Sequence, residues 1–120
     1  MPGDDLAWRN LSGGKIMEKV FLNGKIRVNN IETNVLELDF DKITGRVMME
    51  TETKCRSIGD NTPDLTFSMK YQAMLAAKAA GIIYDDLLDL SGKDMALILT
   101  EVKNFLFQPA SARMTNEAKH

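Results

Sequence analysis

From Met95 to Leu106, the apolar residues Met95, Ile98, Leu99, Val102, Phe105 and Leu106 recur at i, i+3, i+4, i+7, i+10 and i+11. That spacing puts all six on one side of an α-helix. A stripe this continuous must be covered by another part of the chain, so the fold has to be built around it. Its ends are marked as well. Ser91-Gly92-Lys93-Asp94 reads as a capping-box-like start, with Asp in place of the longer Glu, and Pro109 ends the helix. The last long helix is therefore expected to be the central element.

The first third of the chain has a different period. Val20, Leu22, Ile26 and Val28 alternate with Phe21, Asn23, Lys25 and Arg27, and Leu36, Leu38 and Phe40 alternate with Glu37 and Asp39. Period two marks half-buried strands. Asn29-Asn30 lies between them as the expected turn, because Asn tolerates left-handed backbone. Parity restricts that turn. A plain two-residue loop pairs Leu22 with Glu37, which places apolar and charged side chains on one face. A three-residue loop, or one bulge, pairs Leu22 with Leu36 and Val20 with Leu38. The odd loop is expected, with Asn30 left-handed. Asn23-Gly24 is a rival turn, but the alternation passes through it without a change of phase.

Between these patterns lie further helical signals. Thr44 can cap a helix over 45–57 that stops before Gly59 and carries Val47, Met48, Thr51 and Cys55 as a thin apolar stripe. Glu50, Glu52, Lys54 and Arg56 then form its solvated face. Residues 59–64 form a loop by composition. Ser68 caps a second helix over 69–80, which Gly81 ends in left-handed geometry with Ile82 folding back onto Ala77. Ala73, Ala76, Ala77 and Ala80 share a small-residue face that lets another helix approach closely. Residues 84–90 read as a short helix. The predicted fold is α+β: an N-terminal antiparallel β-hairpin followed by a compact domain of three or four helices. Its predicted core is Leu22, Leu36, Leu38, Phe40, Val47, Ala77, Leu87, Met95, Ile98, Leu99, Val102 and Phe105.

The chain divides into a non-core segment 1–16, a single domain over 17–108 and a loose tail over 109–120. Pro2, Gly3, Ser12, Gly13 and Gly14 break any periodicity in the first segment. Gly13-Gly14 can be encoded with a GGAGG ribosome-binding sequence, and Lys15 and Ile16 supply an A/T-rich spacer before Met17. Translation is therefore expected to start at Met17, with residues 1–16 an upstream or added extension. Removing them is expected to leave the thermal midpoint nearly unchanged. The alternative is a genuine arm anchored by Trp8.

Composition excludes several function classes. A net charge of −2 over 120 residues gives no general bias toward nucleic acid or an anionic membrane. No apolar run approaches the roughly 20 residues of a membrane span. The N-terminus lacks an apolar signal core, and Cys55 is the single cysteine, so no internal disulfide forms and the cytoplasm is the expected compartment. The only histidine is the terminal His120. A Ser-His or Cys-His nucleophile thus lacks an internal base, Cys/His zinc sites are excluded by count, and no phosphate-cradling loop is present. Asp85, Asp86, Asp89 and Asp94 cluster, but without an EF-hand spacing, and they read as solvated residues at helix starts. No catalytic residue, metal or cofactor is expected. Eight methionines, by contrast, are a high share. Methionine fills cores, and it also suits adaptable binding grooves.

Five stretches carry a family resemblance in their joint order. They are Leu36-Glu37-Leu38-Asp39-Phe40 closing the strand pair, then Ile43-Thr44-Gly45 opening an acidic helix. Tyr71-Gln72-Ala73 follows, running into Ala76-Ala77-Lys78-Ala79-Ala80-Gly81-Ile82. Tyr84 to Asp94 is the fourth, and Val102-Lys103-Asn104-Phe105-Leu106 the last. From Val20 to Phe107 this order resembles the phage tail assembly chaperone family, including the proteins of Mu-like prophages and related tailed phages. The resemblance implies a non-enzymatic protein of the host cytoplasm. Such a protein binds the tape measure protein and keeps it soluble until tail tube subunits polymerise around it. It also implies a frameshift-extended second form as a possible partner, and homo-oligomers are a further possibility. No catalytic residues transfer. The alternative is a small structural or adaptor component of the tail, which purified virions would contain. Met48, Met49, Met69, Met74 and Leu97, at the margins of the core stripes, are the expected partner-binding residues. Apolar contacts of this kind depend little on salt.

Overall fold

The Asn29-Asn30 pair sets the geometry of the first element. In the computed structural model, which describes residues 17–108, both asparagines have positive φ, 53° and 65°. Two successive left-handed residues make a tight two-residue turn whose twist matches the flanking strands. The turn joins β1, Met17–Val28, to β2, Ile31–Asp39, in an antiparallel ribbon. Val28 pairs with Ile31, Arg27 with Glu32 and Ile26 with Thr33.

The expected odd loop is therefore corrected. Parity is satisfied inside β1, where the register shifts between Phe21 and Ile26, so that Leu22 to Lys25 oppose Asn34 alone. Beyond the shift Val20 pairs with Leu36 rather than Leu38, and Leu22 lies in the bulge rather than opposite Leu36. The rival signal at Asn23-Gly24 is this bulge. Its physical reason lies in α4, Gly92–Phe107. The carboxylate of Asp94 accepts the backbone N–H groups of Asn23 and Gly24, each at 2.8 Å, and the Asn23 side-chain amide at 3.0 Å. Backbone donors freed from the ribbon are thereby satisfied. Asp94 is 1% exposed, so the reading of it as a solvated acid is also corrected. Its side chain serves the hairpin, while the Ser91 hydroxyl accepts the Asp94 N–H at 3.1 Å and caps the helix.

The middle helices begin and end on local signals. The Thr44 hydroxyl accepts the Val47 N–H and starts α1, Gly45–Ser57. Ser68 does the same for Tyr71 at the start of α2, Met69–Ala80. Gly81, at φ 72°, ends α2 with the Ile82 N–H donating to the Ala77 carbonyl. Gly59, at φ 94°, closes α1 in the same way, with the Asp60 N–H donating to Cys55. Between α1 and α2 a 3-10 turn covers Leu65–Phe67, and another, Phe40–Lys42, follows β2. The short helix α3, Tyr84–Leu88, ends two residues before the expected boundary.

The central element is α2, which corrects the expectation that the last helix would be. Tyr71 to Ala77 and Ala79 are all buried, and α2 touches α1, α3, α4, β2 and both 3-10 turns. A helix buried over most of its surface carries no clear stripe, which is why periodicity pointed to the more amphipathic α4. Ala73, Ala76 and Ala77 are buried inside this chain, so the small-residue face serves an internal contact. β2 packs on α2, and β1 on α4. Leu38, Leu75, Ala76, Leu87, Ile98 and Val102 are fully enclosed, and Phe40 stacks on Phe105 with ring centroids 4.7 Å apart. Of the predicted core, Val47, Met95 and Phe105 are only half-buried. The expectations for segment 1–16 and tail 109–120 lie outside the described residues.

Candidate partner-binding surface

A loop held by one guanidinium prepares the surface. Arg56, at the end of α1, donates to the backbone carbonyls of Asp60, Thr62 and Pro63 at 3.0, 2.7 and 3.2 Å. The Asp60 carboxylate, 7% exposed, accepts the Thr62 N–H, the Thr62 hydroxyl and the Ser68 hydroxyl. These bonds hold its pKa down to about 2. The chain is thereby returned to α1, and Asp64 caps the 3-10 turn by accepting from the Thr66 N–H and hydroxyl. Leu65 points into the core, whereas Phe67 is left 67% exposed.

Between this turn and α1 lies an open hollow of about 190 Å³, lined by Met48, Met49, Leu65, Thr66 and Tyr71, with Glu52 and Asp64 on its rim. Tyr71 is buried, and its hydroxyl donates to the Met48 carbonyl at 3.2 Å. Burial pushes the Tyr71 phenol up, and the charges of Glu52, Cys55 and Asp64 push it further in the same direction. Next to the hollow Phe67 stacks on Phe107, with ring centroids 5.1 Å apart, although both rings remain open to solvent. Met69, 66% exposed, follows two residues after Phe67.

The structure thus gathers three of the five expected residues around one turn. Met48 is half-buried and Met49 67% exposed, both in the hollow, and Met69 is the exposed first residue of α2, two positions after the 3-10 turn. Met74 is corrected to a core residue. It is buried, with its sulfur 3.6 Å from the Cys55 sulfur, because α2 packs on α1 there. Leu97 is 40% exposed on α4, but it lies ten residues, about 15 Å along the axis, before Phe107. Sequence reasoning missed Phe67 and Phe107. The available signal was Leu65-Thr66-Phe67, an apolar-rich stretch between a polar loop and a cap.

A larger groove of about 450 Å³ runs between α1, α2 and the start of α3, with Met74 and Ala77 among its lining residues. Its charges alternate in sign, with Glu50 and Lys54 from α1 and Lys78 and Asp85 opposite. Ile83 is its one strongly exposed apolar residue.

Burial also raises the Cys55 thiol pKa, reinforced by the charge of Asp60, and this disfavours the thiolate a nucleophile requires. Among the described residues no group of three or more His, Cys, Asp or Glu is placed to hold a metal ion, and no helix is long and apolar enough to cross a membrane. Comparison of the chain with protein-family models, with curated proteins and with solved structures gives no match.

Proposed function

We propose that this chain is a non-catalytic assembly chaperone of a tailed phage, which binds the tape measure protein before the tail tube forms. The observation that carries the reading is the set of large apolar side chains exposed near the 3-10 turn Leu65–Phe67 among the described residues: Met49, Phe67, Met69 and Phe107. An apolar patch of this kind is a place for another protein rather than for a small substrate. Its makeup fits a chaperone, because methionine adapts to irregular partners and aromatic rings supply large contact area.

The order of motifs from Val20 to Phe107 supports the identity of the partner. A tape measure protein is long and mostly helical, and before the tube forms its apolar stripes have nothing to pack against. A surface of moderate affinity, used by many copies along one such chain, would cover it through avidity. Co-expression with the tape measure protein of the same phage tests the reading. Increased soluble yield and a complex that survives gel filtration are expected. Equal solubility with and without this chain, and no complex, would refute it.

A further inference from the structure

Resting on the reading of this surface as the partner site, we infer that its occupant is an amphipathic helix whose apolar stripe is flanked by lysine or arginine. Two independent features of the surface lead there. The first concerns backbone. Around the hollow the main-chain acceptors are already used: Met48 O takes the Tyr71 hydroxyl, Thr66 O takes the Gln72 amide at 2.7 Å, Asp64 O takes the Phe67 N–H and Leu65 O takes the Ser68 N–H. An extended peptide would find no ladder to join, and its own N–H and C=O groups would be left unmatched under the contact. A helix satisfies its backbone internally and presents only side chains.

The second feature is charge. Glu52 and Asp64 stand on the rim, and among the described residues neither has a cation within ion-pairing distance. Both act on Tyr71 in the same sense. Lys70 acts on Cys55 and Asp60. Covering the hollow with an acidic-flanked helix would set like charges together, whereas basic flanks place a Lys or Arg beside each rim carboxylate. The methionines and phenylalanines take the stripe, and the acids select its borders. Because rim charges are screened by salt, a basic-flanked helix should lose more affinity for this surface as salt rises than apolar contacts alone would.

The test uses the full chain and three designed peptides of equal length, titrated calorimetrically at low and high salt. Two are helical with the same Leu/Met stripe, one flanked by Lys and one by Glu. The third is the Lys-flanked sequence with a central proline that breaks the helix. The Lys-flanked helix is expected to bind roughly tenfold tighter than the Glu-flanked one at low salt, a difference of about 1.4 kcal/mol. That difference should shrink at high salt and vanish in the Glu52→Gln/Asp64→Asn double variant, which retains the polar atoms capping the 3-10 turn. Circular dichroism of the double variant checks that the fold is kept. Equal affinities, a preference for Glu flanks, or a Lys preference that survives in the double variant would overturn the charge assignment. Equal binding of the proline-broken peptide would overturn the helical one, and absence of binding by every peptide would overturn the site. Co-expression with the tape measure protein is read separately, so the chaperone reading can stand while this inference falls.

Discussion

Asp94 joins the start of the last helix to a bulge in the first strand, across 70 and 71 residues of sequence. Its pKa is lowered, first by the backbone N–H groups of Asn23 and Gly24 and further by the Asn23 amide and the Ser91 hydroxyl, against a smaller opposing effect of burial. A carboxylate whose folded pKa lies below its unfolded value stabilises the fold above the unfolded pKa, about 3.9 for Asp. That contribution disappears as pH falls through the folded value. Asp60 has the same sign, with a folded pKa of about 2. Acid unfolding is therefore expected to steepen below about pH 4. Asp94→Asn should lower the thermal midpoint at neutral pH and flatten the acid slope, read from melting curves across the acid range. A slope unchanged by the substitution would show that Asp94 does not carry it.

At the scale of elements, Gly81 is the clearest point of control. Its left-handed backbone turns the chain out of α2, so a β-carbon there is strained, and Gly81→Ala should cost about 1–2 kcal/mol in chemical denaturation. Ile98, fully enclosed in α4, should cost roughly 2–5 kcal/mol as Ile98→Ala. The bounds of α1 and α2 were legible because their signals are local. Thr44, Ser68, Gly59 and Gly81 act within four residues of the ends they set. The hairpin was legible in its parity but not in where the parity was met, because the group that fixes the bulge lies near the other end of the domain. Likewise Met48 and Met49 could be read at the margin of a stripe. Met74 could not, since the contact of α2 with α1 that buries it is set by tertiary structure. The Phe67–Phe107 stack joins a 3-10 turn to the end of α4, and only tertiary structure brings those two rings together.

For the molecule as a whole, the methionines divide by role. Met74 belongs to the interior, and Met95 is half-buried against the core. Met48 and Met49 line the hollow and Met69 is exposed, which leaves these three for the proposed partner. Methyl groups of methionine report on each position separately. The direct measurement is a methyl-labelled NMR titration of the full chain with a soluble helical fragment of the tape measure protein, with resonances assigned by single Met→Leu substitutions. The Met48, Met49 and Met69 methyls are expected to shift and broaden as the complex forms, while Met74 and Met95 stay nearly unchanged. Shifts confined to other methionines, or saturable binding that leaves all three of these methyls unmoved, would contradict it.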